Sequence, residues 1–111
     1  MAYNKELGVR IDKTIDDLTL GDYESKKMFG GVGYMINGNM ACGILGDQLI
    51  VRVGKEGYEE TLHQKGVTEF LNNGRPMTGW VMVDDVVLGN AEDLRDWVMK
   101  GLDFVKTLPR K

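Results

Sequence analysis

Residues Lys27 to Val53 read KMFGGVGYMINGNMACGILGDQLIVRV, and this stretch decides the fold. Asn37-Gly38 and Gly46-Asp47 stand between its apolar runs. Both pairs are typical of tight two-residue turns, because the central positions of a type I′ hairpin turn require positive φ. We therefore interpret the stretch as three antiparallel strands joined by two hairpin turns.

The two turns predict which residues face each other across the strands. The first turn sets Met35 opposite Met40 and Gly33 opposite Cys42, and the second sets Cys42 opposite Val51. Side chains alternate between the two faces of a strand. One face is then apolar throughout; it consists of Gly31, Gly33, Met35, Met40, Cys42, Ile44, Leu49, Val51 and Val53. The second face is mixed; it consists of Val32, Tyr34, Ile36, Asn39, Ala41, Gly43, Leu45, Gln48, Ile50 and Arg52. We predict that the first face forms the core.

The composition is that of an ordinary globular protein. The chain has 111 residues, 42% hydrophobic and 28% charged, which suits one domain over residues 1–111 with a single core. A net charge of −3 argues against a general nucleic-acid binder, because such domains are normally basic. The single cysteine excludes an internal disulfide and suits a reducing compartment. No apolar run opens the chain, so we expect a cytoplasmic protein without a membrane span.

Helical periodicity precedes and follows the central stretch. Asn4 is the candidate N-cap of a first helix that ends near Leu20-Gly21. The buried side of this helix is predicted to be Leu7, Ile11, Thr14, Ile15 and Leu18. A short second helix is predicted from Gly54 to about Lys65. The last helix begins after Asn90 and stops before Pro109. Its apolar stripe consists of Leu94, Trp97, Val98, Gly101, Leu102 and Val105.

The remaining segments are less regular. Tyr23 to Lys27 is polar and is interpreted as a lead-in to the sheet. Val67 to Thr78 is irregular, with a short strand near Phe70 as one option, and Trp80 to Val83 reads as a strand. Asp84-Asp85 is interpreted as a turn. The order α-β-β-β-α-β(β)-α predicts an α+β fold with an antiparallel sheet of four to five strands and helices packed on one face.

Several motifs together resemble one known family. They are Met28-Phe29-Gly30-Gly31-Val32-Gly33-Tyr34, Asn37-Gly38-Asn39-Met40-Ala41, Val51-Arg52-Val53, Gly74-Arg75-Pro76-Met77 with Gly79-Trp80-Val81, and Trp97-Val98 before Phe104-Val105. In this combination they are similar to the TfoX N-terminal domain family, and the resemblance covers nearly the whole chain from Met28 onward. It implies an α/β fold with an antiparallel sheet and a secretion-chaperone-like topology.

The resemblance implies little about the biochemical role. The family is named for a bacterial regulator of natural competence, in which this domain precedes a second, C-terminal domain. The chain ends at Lys111, directly after the last predicted helix. We therefore expect a stand-alone domain, to which a transcriptional role is not carried over wholesale. The resemblance brings no catalytic residues with it.

No arrangement of residues in the sequence points to catalysis, a metal or a cofactor. His63 and Cys42 are the only histidine and cysteine and fall on different predicted elements, so a His/Cys ligand set is missing. Ser25 has no histidine placed to activate it. Gly31 and Gly33 lack nucleotide-loop spacing and lie within a strand, where we expect them to let a helix cross close above the core face. We predict a non-catalytic protein without a cofactor.

Two features supply candidate interaction residues. Tyr34 and Arg52 stand on the second sheet face, which is either an open interaction surface or covered; cover by the chain itself or by a homodimer partner is the favoured alternative. Pro76 restricts Arg75 to extended geometry, so a rigid loop presents its guanidinium beside Lys26-Lys27. For Arg75, an internal ion pair or capping of backbone carbonyl groups is favoured over contact with a ligand.

Three functional hypotheses of different classes follow. The first is a non-catalytic interaction or regulatory module that contacts a protein partner or a second copy through the sheet face. The second, by family analogy, is a nucleic-acid-associated regulator of transcription or competence that uses Lys26, Lys27, Arg52 and Arg75, although the net charge argues against nucleic acid as a partner of this domain alone. The third is a small-ligand-binding protein or an enzyme with a pocket near Arg75.

Overall fold

The computed structural model describes residues 4–19, 23–28, 31–72 and 74–109, and the structural statements below concern these residues. The elements are α1 (Lys5–Thr19), β1 (Glu24–Met28), β2 (Gly31–Ile36), β3 (Asn39–Leu45), β4 (Gln48–Arg52), α2 (Tyr58–Leu62), β5 (Val67–Asn72), β6 (Arg75–Val83), α3 (Asp85–Leu88) and α4 (Ala91–Val105). The strands form one sheet in the order β1-β2-β3-β4-β6-β5, and all neighbours are antiparallel. The predicted α+β class is confirmed, with six strands rather than four or five.

Two segments form strands that the hydrophobic pattern hides. Glu24–Met28, predicted to be a lead-in, is the edge strand β1. Its lysines are typical of edge strands, where charge hinders pairing with another sheet. Val67–Asn72, predicted to be irregular with a short strand near Phe70 as one option, is strand β5 and pairs with β6 as a hairpin. A register shift between Glu69 and Leu71 interrupts the alternation there, which explains why the sequence pattern is weak.

The two long helices begin where the sequence places a capping side chain. The Leu7 N–H donates to Asn4 Oδ1 at 3.1 Å, and the Glu92 N–H donates to Asn90 Oδ1 at 2.7 Å. Each bond satisfies an N–H group that the first turn of a helix leaves without a partner. Both predicted N-caps are confirmed. The predicted end of the first helix, Leu20-Gly21, lies outside the described residues.

The two short helices differ from the sequence pattern in opposite ways. Helix α2 covers only Tyr58–Leu62, because the chain has a positive φ of 84° at Gly54 and enters the helix only after Gly57. Helix α3 follows Asp84, where the sequence predicted only a turn. The Asp84 side chain accepts a hydrogen bond from the Val86 N–H and so caps this single turn of helix.

One continuous core lies between the sheet and the helices. Helix α4 contributes the predicted stripe of Leu94, Trp97, Val98, Gly101, Leu102 and Val105. The strands contribute Tyr34, Ile36, Ala41, Cys42, Ile44, Leu49, Val51, Val67, Val81 and Val83. The other helices contribute Leu7, Ile11, Ile15, Tyr58 and Leu88. Full burial of one such side chain is worth about 1.5–3 kcal/mol. All four helices share this cluster, so they pack on the same face of the sheet, as predicted.

A bulge changes the predicted register of β2 against β3. Met35 pairs with Met40, as the two-residue turn requires, but Tyr34 then pairs with Cys42 and leaves Ala41 as the extra residue of β3. The two faces of β2 are thereby exchanged relative to the prediction. Tyr34 belongs to the core and is 1% exposed. The predicted faces are wrong for Gly31, Val32, Gly33, Tyr34, Met35, Ile36, Asn39, Met40 and Ala41.

Candidate interaction surface

The sheet face opposite the helices carries apolar side chains that do not belong to the core cluster. Strand pairing and alternation place twelve residues of strands β2 to β6 on its central part, and we refer to them as the open face: Gly33, Met35, Met40, Gly43, Leu45, Gln48, Ile50, Arg52, Thr68, Phe70, Trp80 and Met82. Gly31 at the start of β2 and Glu24 and Lys26 on the edge strand β1 flank them on the same side. Within the described ranges no helix packs on this side of the sheet. An antiparallel sheet can leave one face in water, but that face is usually polar.

Side chains of the open face partly cover one another. Ile50 pairs with Gly43 on one side and Met82 on the other, and it is only 4% exposed. Met40 lies over Gly43, where an added Cβ atom would come within 3.0 Å of the methionine methyl group. The glycine therefore makes room for a methionine lying across the sheet. Met35, Met40 and Met82 remain half-buried, so part of each is in solvent.

Arg52 lies at one end of the open face, over two aromatic rings. Its Cζ atom is 5.1 Å from the centre of the Trp80 ring and 5.5 Å from the centre of the Phe104 ring. Both distances suit cation–π attraction. Phe104, from α4, reaches this point because Gly54 has no side chain; an added Cβ atom would overlap the Phe104 ring. No hydrogen bond or ion pair joins the Arg52 guanidinium to another described residue.

An open cleft of about 450 Å³ lies beside Arg52 at the end of β4. Its side-chain lining includes Lys55, Glu56 and Thr78 together with the two aromatic rings. Lys55 and Glu56 are exposed. The cleft thus combines two cations, one carboxylate and two flat apolar surfaces. An arginine side chain offers N–H donors and no acceptor, which suits contact with anionic groups.

The structure removes Tyr34 from the predicted interaction surface. Its hydroxyl donates to the Gly8 carbonyl oxygen of α1 at 3.4 Å, and its ring lies 6.3 Å from the ring of Tyr23. The bulge at Ala41 is the physical cause, because it turns Tyr34 toward the helices. The prediction that Tyr34 stands on the second face is therefore wrong.

The predicted cations do not gather into one patch. Lys26 pairs with Gly33 and lies at the edge of the open face, whereas Lys27 pairs with Val32 and points to the helix side. Arg75 is exposed at the tip of the β5–β6 hairpin, in the part of β6 that precedes its pairing with β4. Of the five predicted interaction residues, only Arg52 belongs to the open face, and Lys26 lies beside it on β1.

The sequence can now be compared with known proteins. A sequence model described as the TfoX N-terminal domain matches residues 16–105, which run from within α1 to the end of α4. The chain belongs to the TfoX N-terminal domain family. The match includes the whole open face and the Arg52 cleft of this TfoX N-terminal domain. No curated protein matches the chain.

The most informative residues of this TfoX N-terminal domain were missed by the sequence interpretation. Met35, Met40, Trp80 and Met82 make up much of the open face, yet two of them were assigned to the core. The unbroken apolar run from Trp80 to Val83 is a detectable signal that this strand has apolar side chains on both faces. In β2 and β3, the bulge at Ala41 hid which apolar side chains lie on each face.

The remaining reactive groups of the TfoX N-terminal domain have structural surroundings. Burial raises the pKa of the Cys42 thiol to about 12, so this side chain is uncharged and unreactive at neutral pH. The His63 Nδ1 atom is 2.7 Å from the Glu59 carbonyl oxygen, on the exposed side of α2. In the described part of the chain, no three His, Cys, Asp or Glu residues are placed to hold a metal ion together. No helix among the described residues has the length and apolar character needed to span a bilayer.

Proposed function

We propose that this TfoX N-terminal domain is a non-catalytic interaction module that binds a polypeptide partner through the open face. The composition of that face carries the proposal. Methionine, aromatic residues and arginine are enriched at protein interfaces, whereas lysine, glutamate, aspartate, serine and alanine are depleted. The open face has three methionines, two aromatic residues and Arg52, and the depleted types nearest to it, Glu24 and Lys26, stand on the edge strand β1 beside it.

Burial of this face supplies a driving force for association. Met35, Met40, Met82 and Trp80 are half-buried in the isolated chain, so a partner removes further apolar surface from water. Complete burial of a large apolar side chain is worth about 1.5–3 kcal/mol, and these residues would each gain part of that. Methionine also adapts its shape to a partner, which suits surfaces that bind several related segments.

The proposal includes a regulatory role in a bacterial cytoplasm, by analogy with the competence regulator for which the family is named. A second copy of the domain is the alternative occupant of the face, and it would make the protein a homodimer. Sedimentation of the purified chain distinguishes these occupants, because only self-association shifts with protein concentration.

Site-specific photo-crosslinking in the native host tests the proposal. A photoreactive amino acid replaces Met82 on the open face or, as the matched control, Met99 on the outer side of α4, which is 40% exposed. We expect a specific crosslinked polypeptide from position 82 and none from position 99. Met82→Glu should abolish capture of the same polypeptide by the unlabelled domain, whereas Met99→Glu should not. Equal crosslinking from both positions, or none from position 82, would refute the proposed function.

A further inference from the structure

The Arg52 guanidinium is held in place before any partner arrives. The rings of Trp80 and Phe104 lie 5.1 and 5.5 Å from its Cζ atom, on two different elements, β6 and α4. Holding a long side chain by stacking removes much of the entropy cost of ordering it on binding. Neither ring carries a hydrogen-bond acceptor for the guanidinium N–H donors. Those donors make no hydrogen bond to another described residue.

The position of Arg52 links the cleft to the open face. Arg52 lies two residues after Ile50 on the same side of β4. On the neighbouring strand β6, Met82 pairs with Ile50 and Trp80 pairs with Arg52. The end of a partner segment that lies across Ile50 and Met82 therefore reaches the Arg52 cleft. Lys55 adds a second cation and Glu56 one carboxylate at the cleft, so its side chains sum to a positive charge on a chain of net charge −3.

We propose that Arg52 binds a carboxylate of the partner polypeptide, supplied by an acidic side chain beside apolar residues that pack on the open face. The guanidinium edge matches a carboxylate in a two-point hydrogen-bonded pair. The acidic group fixes the position of the segment on the open face and gives specificity, and the apolar residues give most of the affinity. This inference rests on the proposed function, because it assumes that the occupant of the open face is a polypeptide.

Selection of peptides from a display library of short random linear sequences tests the inference. The full chain is used as wild type and as Arg52→Gln, with Arg75→Gln as the matched control, since Arg75 is an exposed arginine outside the cleft. Peptides selected on the wild type should share an acidic residue next to apolar ones. Replacing that residue by its amide should weaken binding about tenfold, the effect expected for one charge-assisted hydrogen-bonded pair. Arg52→Gln should remove this preference and Arg75→Gln should keep it.

The outcomes separate the inference from the proposed function. Selected peptides without a common acidic residue, or with equal binding after amide replacement, would overturn the role of Arg52 and leave the open face as a polypeptide site. Failure to enrich any peptide over a Met82→Glu domain would refute both. Arg52-dependent binding of a short single-stranded DNA in preference to the peptides would assign the cleft to phosphate and overturn the inference. Arg52→Lys keeps the charge but loses the planar fork, so it should lose most of the preference for acidic peptides. Circular dichroism checks that each variant is folded.

Discussion

Gly101 of α4 lies directly on the Ala41 carbonyl oxygen of β3, so close that a Cβ atom at Gly101 would come within 3.0 Å of that oxygen. The helix therefore crosses the sheet at its bulge, and backbone atoms rather than a flexible side chain set the distance. Alanine normally improves a helix interior by about 0.5–1 kcal/mol relative to glycine. Here the overlap requires α4 to move away from the core, at a cost of about 1–3 kcal/mol. We expect Gly101→Ala to lower the free energy of unfolding by about 1–2 kcal/mol.

Urea denaturation measures this effect, and Gly89 provides the matched control. Gly89 is exposed, has helical φ and ψ of −63° and −27°, and has no contact closer than 3.9 Å for an added Cβ atom. Gly89→Ala should therefore leave stability unchanged or raise it by up to about 1 kcal/mol. The expected difference in sign between the two substitutions isolates the helix–sheet contact. A stabilising Gly101→Ala would contradict the described approach of α4 to Ala41.

Two buried tyrosines should respond in different ways to loss of the hydroxyl. The Tyr34 hydroxyl donates to the Gly8 carbonyl oxygen, so Tyr34→Phe should cost about 1 kcal/mol of unfolding free energy. The Tyr58 hydroxyl is buried, with the Glu69 carboxylate nearby but with no hydrogen bond of ordinary geometry to any described residue. Tyr58→Phe should therefore be neutral or stabilising, because an unsatisfied polar group is removed from the core. Thermal and urea unfolding of both variants give the comparison, and a larger loss for Tyr58→Phe than for Tyr34→Phe would refute it.

The local elements were predictable where a single physical requirement dominates. Asn4 and Asn90 cap helices because few side chains can do so, and the stripe of α4 follows directly from its 3.6-residue period. Asn37 and Gly38 have φ of 55° and 83°, the positive values that their turn requires. The bulge at Ala41 was not predictable from alternation, since one inserted residue reverses the facing of a strand without changing its apolar content.

The candidate site depended on contacts between distant parts of the chain. Arg52 was identified as a surface residue because the predicted register of β3 and β4 was correct. Its aromatic neighbours Trp80 and Phe104 come from β6 and α4, and no local pattern brings them together. The edge strand β1 escaped notice because polar, charged residues are what an edge requires, and the same residues are typical of loops.

Neighbouring residues of β6 should show which face of the sheet is covered. Val81 is 0% exposed in the core, whereas the adjacent Met82 is half-buried on the open face. Val81→Glu buries a charge and should cost about 4 kcal/mol or more, enough to unfold many small domains. Met82→Glu leaves its carboxylate at the surface and should cost about 1 kcal/mol. Urea unfolding of the two variants tests the assignment. Comparable losses would mean that the open face is covered by the rest of the chain.

The buried thiol of Cys42 should make the protein less stable in alkaline solution. Burial raises the pKa of Cys42 to about 12, whereas in the unfolded chain a thiol releases its proton near pH 8.5, with a typical scatter of about one unit. Between these values the folded state holds more protons than the unfolded state. The free energy of unfolding therefore falls as the pH rises, by up to about 1.4 kcal/mol per pH unit for this single group. Below about pH 8 the thiol is protonated in both states and contributes no pH dependence.

Cys42→Ala serves as the control, because it removes the titrating group while it changes the core by one atom. Tyr23 and Tyr58 also have raised pKa values, in both cases first from burial and then from nearby carboxylates, and they reduce stability in the same direction at higher pH. Urea unfolding is measured between about pH 8 and pH 10. In this window the thiol dominates the pH dependence of stability, because tyrosines ionise mainly at higher pH. We expect a steeper fall for the wild type than for Cys42→Ala. Equal slopes would mean that Cys42 ionises in the folded protein as easily as in the unfolded chain, which a fully buried thiol cannot do without opening of the sheet beneath α4.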